Sequence, residues 1–284
     1  MTHPDHSPLR DRALAFRALH VPGRPLVLPT AWDPASARLV EDAGAPAVAT
    51  TSAGLAWALG AADGDRLGRE DALRAVAGVV AAVRVPVTAD IESGDATDPA
   101  GVADTVRAVL AAGAVGVNIE DALHEGDAPL RPVAEQAERI AAARAAADEE
   151  GVPLFVNARI DTFLRGAGGV DLTLERAAAF VAAGADGVFV PGAVDPETVK
   201  LLVEGVRAPL NIMAGPRAPP AAAPAGLPPP RGYAPPRTPP APAALAPRAA
   251  RRLPAAAGSR CRRRGAPPPA PATPRCGPRR PAPC

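Results

Sequence analysis

The sequence predicts an α/β protein of the (β/α)8 TIM-barrel type whose last βα unit is missing or replaced, and three observations predict it. Short apolar runs without polar alternation are separated by amphipathic helical stretches, the pattern of a parallel sheet covered on both faces. Three junctions are near copies: Glu41-Asp-Ala-Gly-Ala45, Leu110-Ala-Ala-Gly-Ala114 and Val181-Ala-Ala-Gly-Ala185. Each reads as a helix tail, a glycine just past it and the entry to a strand. Nearly every strand also ends in a polar or turn residue, namely Asp33, Ser52, Asp90, Glu92, Glu120, Arg159 and the pair Pro191-Gly192. Barrels gather their chemistry at such ends, whereas a doubly wound sheet confines it to one switch point.

Taken in order, Arg10 to His20 predicts a short helix, and Leu26 to Asp33 a buried strand running into a polar end. Asp33-Pro34 is an N-cap followed by an N1 proline, so a helix should run through Glu41 and stop at Gly44. Ala47 to Ser52 is the second strand, and Gly54, Gly60 and Gly64 predict a loop that carries Asp63. Leu73, Val76, Val80 and Val83 fall on one face of a helix from Arg69 to Arg84, and Val85 to Glu92 is the third strand. Helices over 98–112, 132–150, 171–183 and 195–206 then alternate with strands over 115–121, 153–161, 186–191 and 208–214. Seven strands precede residue 217, one short of a barrel.

Composition divides the chain there, into a barrel domain over 1–217 and a low-complexity tail over 218–284. Before Ala218 there are 19 basic against 30 acidic residues; after it there are 12 arginines, 21 of the 37 prolines and no acid. Such a segment cannot bury enough apolar surface to fold, so disorder is expected. Cys261, Cys276 and Cys284 all lie in it, which leaves the barrel without a cysteine nucleophile or a thiolate metal site. Two readings of the tail stand side by side. One is an out-of-frame reading of GC-rich coding sequence, which translation in the other two frames after codon 216 would expose as a lost strand and helix. The other is a basic tail for polyanions; with only Tyr233 among its arginines, nucleic acid is not the expected partner. No signal-peptide pattern opens the chain, and its apolar stretches break before the roughly 18 residues a membrane span needs, so a cytoplasmic location is expected.

The acids carry the chemistry. Asp90 and Glu92 alternate to one side at the end of the third strand, and Glu120 ends the next. Neighbouring strands lie about 4.8 Å apart, so these carboxylates can meet on one Mg²⁺ or Mn²⁺ ion, with Asp63 as an outer ligand. The other reading is that strand-end acids cap the following helices. Arg159 offers a planar fork for a substrate carboxylate. Ser52-Ala53-Gly54 is either an oxyanion cradle or a tight turn. Trp32 either walls the pocket or packs in the core, and His124 is either an acid–base group or a solvated loop residue.

At these residues the chain resembles the isocitrate lyase and phosphoenolpyruvate mutase superfamily. The resemblance is carried by Pro29-Thr-Ala-Trp-Asp-Pro-Ala-Ser-Ala-Arg38, Thr50-Thr-Ser-Ala-Gly54, Thr88-Ala-Asp-Ile-Glu-Ser-Gly94, Asn118-Ile-Glu-Asp121, Asn157-Ala-Arg-Ile-Asp161 and Asn211-Ile-Met-Ala-Gly215. It implies a (β/α)8 barrel, usually a tetramer with helix exchange, that uses Mg²⁺ to hold an α-oxocarboxylate and stabilise its enolate. It implies Asp90, Glu92 and Glu120 around the metal with Asp63 nearby. Arg159 would sit on the substrate, Ser52, Ala53 and Gly54 along its carboxylate, and Asn118 in the same pocket. Two departures stand out. The lyases' Lys-Cys-Gly-His gating motif is replaced by Ala122-Leu-His-Glu-Gly-Asp-Ala-Pro-Leu130, and the mutases' lysine-bearing loop is absent, Lys200 being the only lysine. The expectation is a Mg²⁺-dependent lyase acting on a small α-oxo or α-hydroxy carboxylate. The alternatives are a phosphonomutase-like isomerase and a non-catalytic truncated barrel with a polyanion-binding tail.

Overall fold

The computed structural model describes residues 7–213, so the expected disorder of the tail falls outside the described residues. Fifteen elements follow in order: α1 (Ser7–Ala18), β1 (Thr30–Ala31), α2 (Pro34–Asp42), β2 (Val48–Thr50), α3 (Ser52–Ala58), α4 (Arg69–Ala82), β3 (Val87–Asp90), α5 (Pro99–Ala111), β4 (Gly116–Glu120), α6 (Val133–Glu149), β5 (Phe155–Arg159), α7 (Val170–Ala182), β6 (Gly187–Phe189), α8 (Pro196–Gly205) and β7 (Leu210–Asn211). All seven strands lie in one sheet, in sequence order, each parallel to the next. Crossovers between parallel strands are right-handed, so always stepping to the next strand puts every crossover helix on the same side. The other side can then be covered only by the sheet curling on itself. That is the winding of a barrel, here an arc of seven strands in which β1 and β7 do not pair among the described residues.

Helix starts follow local chemistry. Asp33, Asp98 and Asp195 cap α2, α5 and α8, accepting from the backbone N–H of Ser36 (2.6 Å), Gly101 (2.8 Å) and Thr198 (2.9 Å), and each is followed by proline. A proline at the first helical position loses no hydrogen bond, and each cap is worth about 1 kcal/mol. Asp33 is therefore a cap and not a site acid.

The sheet is strongest at its centre. β4 and β5 pair over five residues, with Val117, Ile119, Val156 and Ala158 buried, whereas β1 and β7 are two residues long. Below this centre α1 closes the N-terminal end of the sheet. The Phe16 ring packs edge-on to Phe155 at 5.6 Å, and it reaches β4 because Gly116 has no Cβ, which would stand 3.0 Å from the ring. Arg17 and Arg144 both pair with Asp186, which also accepts from the N–H of Val156.

One element departs from expectation. The glycine-rich stretch after β2 begins as a helix, α3, and not as a loop. Ala53, Leu55, Ala56 and Trp57 favour helix, and Gly54 serves close approach: a Cβ there would lie 2.6 Å from Thr51 Cγ2 and 2.9 Å from Trp32 Cβ.

Candidate active site

Register builds the site as two rows across the strand ends. In the lower row Asp90, Asn118 and Asn157 stand side by side on β3, β4 and β5. Asn157 Nδ2 donates to Asn118 Oδ1 and Asn118 Nδ2 to Asp90 Oδ1, each at 3.2 Å. In the upper row Glu120 of β4 is level with Arg159 of β5, which is level with Phe189 of β6. Side chains in register on parallel neighbours face the same side, so the strands alone deliver both rows.

At the end of β3 no acid forms an ion pair among the described residues, and Arg69 acts on Asp95 only at longer range. Asp90 is held by the backbone N–H of Ser52 on Oδ2 (3.0 Å), and its own N–H donates to Thr50 Oγ1 (2.9 Å). Glu92, 7% exposed, accepts from the backbone N–H of Asp65, and Asp65 Oδ1 accepts from that of Ser93 (3.3 Å). Burial, with Asp65 and Asp90 close by, pushes the Glu92 carboxyl up to about 9. Burial, with Asp65 adding to it, lifts Asp95 to about 6. Asp65, Glu92 and Asp95 are also the three non-glycine residues with positive φ among those described, at 56°, 48° and 49°. Left-handed backbone costs such residues roughly 1–2 kcal/mol each, and strain of this kind clusters at functional sites.

At the ends of β4 and β5 every acid is matched. Arg159 Nε and Nη2 donate to the two oxygens of Asp161 (2.7 and 2.8 Å), and Nη1 forms an ion pair with Glu120 Oε2 at 2.7 Å. Asp161 thus takes the Nε–Nη2 edge of the fork, and the edge between the two terminal nitrogens faces away from it. Glu120 Oε1 meets His124 Nε2 at 2.7 Å, which raises the imidazole above its ordinary value. Burial pushes Glu120 up, while His124 and Arg159 pull it the other way. Arg165 donates to His124 Nδ1 (3.3 Å), and Gly64, with φ of 89°, makes room for the ring, since a Cβ would stand 2.7 Å from Nδ1. Behind them Arg176 Nε donates to the fully buried Asp121 (2.7 Å), whose other oxygen accepts the N–H of Asp161 (2.9 Å).

Three expectations need restating against this geometry. Asp90, Glu92 and Glu120 do not form a ready cage: among the described residues no three carboxylate, imidazole or thiolate groups gather as a metal cluster. Glu120 is held by its two cationic neighbours instead. Asp63 is exposed, and the loop acid that touches Glu92 is Asp65, two residues on. Ser52, Ala53 and Gly54 open a helix, and the Ser52 N–H is occupied by Asp90. Trp32 is half-buried against Gly54 and packs on the core. Asn118 joins the lower row.

A divalent cation fits the β3 corner by its chemistry, because a buried carboxyl raised by neighbouring acids is what a cation would relieve. The crevice lined by Ser52, Asp90, Glu92 and Asp95 holds only about 10 Å³. Beside it, past Asp95 and Leu67, opens a cleft of about 530 Å³ reaching Asp65, Ser93 and His124.

Asp65 and Arg176 were not singled out from the sequence. Arg176 had a signal, an arginine within the stripe Thr173, Arg176, Ala177 and Phe180 that α7 buries. Asp65 offered only its place after Gly64.

A family model described as phosphoenolpyruvate phosphomutase matches residues 16–227. An uncharacterised protein of Mycobacterium tuberculosis is 38% identical over 202 residues, covering 70% of this chain and 74% of its own. The 2-methylisocitrate lyase of Escherichia coli is 30% identical over 210 residues, covering 72% and 69%. Among solved structures, a phosphonopyruvate hydrolase complexed with oxalate and Mg²⁺ superposes with a TM-score of 0.65 at 27% identity, covering 71% of each chain. No helix among the described residues is long and apolar enough to cross a membrane. With the family match spanning most of the strands that build both rows, the chain belongs to the phosphoenolpyruvate phosphomutase family, in the superfamily of phosphoenolpyruvate mutases and isocitrate lyases.

Proposed function

We propose that the chain is a Mg²⁺- or Mn²⁺-dependent lyase that cleaves a carbon–carbon bond of a small α-oxo or α-hydroxy carboxylate. The observation that carries this reading is the contrast at the strand ends. At β3 the buried Glu92 stands among other acids with no ion pair of its own, and Asp90 beside it is within electrostatic reach of Arg159 on β5, whose fork Asp161 holds along one edge. Asp90 and Glu92, with Asp65, would hold the ion, and when bound it supplies positive charge that stabilises the oxygens of the substrate as they become negative. Asp161 fixes the plane of Arg159 so that its free edge takes the substrate carboxylate, and Asn118 and Asn157 lend amide donors beneath. His124, raised by Glu120, is the acid–base group of the site, with its Nε2 held against Glu120 until substrate enters. Asp63 takes no part in this scheme, its role passing to Asp65.

Phosphonate rearrangement is the second reading, favoured by the description of the family model. Against it stands the loop after β4, a tight hairpin in which Ala122 bridges Leu130 and the N–H of Leu123 donates to Pro129 O at 3.1 Å. So short a loop is poor at keeping water from a phosphoryl group in transit. Assembly as a homo-oligomer belongs to the same proposal, with exposed Leu201 and Val203 on α8 as apolar surface for it.

Purified protein assayed with oxaloacetate, methylisocitrate-like acids and phosphonopyruvate should release pyruvate or glyoxylate only with Mg²⁺. Undiminished turnover in EDTA would overturn the proposal. Absence of any Mg²⁺-dependent rise in melting temperature would favour the non-catalytic truncated barrel.

A further inference from the structure

We propose that the cleft beside the acid corner is an anion-binding site in its own right, in which Arg69 and Arg131 receive a carboxylate or phosphate group of a small molecule. The cleft lies among the loops after β2, β3 and β4, and its volume of about 530 Å³ is within the range of small-ligand pockets. Three arginines line it, Arg66, Arg69 and Arg131. Arg69 makes no hydrogen bond or ion pair within 4 Å among the described residues, its charge acting on Asp95 at longer range. Arg66 has only Glu125, at 3.5 Å, and both side chains are largely in solvent, at 55% and 82%. Arg131, whose side chain is 12% exposed, gives Nη1 to Glu135 at 2.5 Å, while its Nε is buried with no partner.

A buried N–H without an acceptor costs about as much as a lost hydrogen bond, so the arginines on this side of the cleft are short of acceptors. The ground beneath the cleft is positive as well. Fully buried Arg139 donates through Nη2 to the carbonyls of Ser93 (2.6 Å) and Ala96 (2.7 Å), two residues of the cleft wall, while its Nε and Nη1 have no partner. Three acids face the same space. Asp65 is turned to Ser93 and Glu92, Glu125 projects into solvent, and Asp95 lies on the border with the acid corner. None of them approaches Arg131 or Arg69 within 4 Å. The hydroxyls of Ser93 and Thr97 complete a wall suited to an oxyanion, and an arginine fork is the donor best shaped for carboxylate or phosphate.

Calorimetric titration of the full chain with inorganic phosphate and with succinate, in EDTA and at low salt, tests the site without reference to metal or turnover. Wild-type protein should bind one of them at a single site, and Arg69→Gln should weaken it at least tenfold with an unchanged melting temperature. Arg84→Gln, an exposed arginine at the opposite end of α4, should leave binding intact. No binding by wild type, equal binding by Arg69→Gln, or equal weakening by Arg84→Gln each overturns the assignment. The source of the anion is read from the active enzyme. A raised KM at unchanged kcat in Arg69→Gln makes it the far end of the substrate, and unchanged kinetics with lost binding make it a separate effector.

Discussion

At the end of β3 and at the ends of β4 and β5 the chain sets acids into its interior and treats them in opposite ways. Asp121, Asp161 and Glu120 are met by Arg176, Arg159 and His124 at 2.7 Å, so that corner is rigid and electrically closed before anything binds. Glu92 and Asp95 have acids close by and no ion pair, with Arg69 acting on Asp95 only at longer range; both stand on left-handed backbone, and burial lifts their carboxyls to about 9 and about 6. One corner is a frame and the other a charge store. The difference teaches that burial alone does not mark a ligand site. The mark is a buried acid whose nearest charged neighbours share its sign.

The sharpest break of the comparison is Asp90→Ala. Turnover with Mg²⁺ should vanish, and so should any Mg²⁺-induced rise in melting temperature, while circular dichroism stays that of the wild type. In the matched corner the same kind of truncation should be felt by the fold. Asp121→Ala strands the buried guanidinium of Arg176, and chemical denaturation should show a loss of about 3–5 kcal/mol. A loss under about 1 kcal/mol would deny that this corner is a frame.

Arg159→Lys keeps the charge but cannot hold both oxygens of Asp161. Losing one charged hydrogen bond of about 1.5–3 kcal/mol should lower kcat/KM by about ten- to a hundredfold. The last test is Glu92→Gln, read in EDTA. A carboxyl raised to about 9 in the fold and about 4.5 in the unfolded chain keeps its proton in the native state across that window. Wild-type stability should therefore fall as pH rises from 4.5 towards 9, and the Gln variant should lose that slope and melt higher at pH 8. Parallel pH profiles for the two proteins would place Glu92 in the matched class instead.

All seven strands were legible because a buried parallel strand is a short apolar run bounded by turns, and Asp-Pro caps announce helix starts without tertiary help. Reading Ser52 to Gly54 as a loop missed α3, because the glycine signal is the same for a turn and for a helix pressed against Trp32. Asp90 could be placed at a strand end, but β3 stops there and Glu92 follows on left-handed backbone, so strand alternation does not decide where Glu92 points. Which loop acid reaches them could not be read either, since Asp63 and Asp65 differ only in how the chain turns at Gly64.

By itself the sequence determined the winding, the strand that carries each polar end and the level of those ends, since apolar period, caps and strand spacing are local properties of the chain. Only the tertiary structure decided which acids are neutralised. Arg176 reaches Asp121 from 55 positions away, Arg139 reaches Ser93 from 46, and His124 closes on Glu120 where Gly64 gives way. Charge compensation depends on distances of a few ångströms between segments remote in sequence, and the fold alone sets those distances.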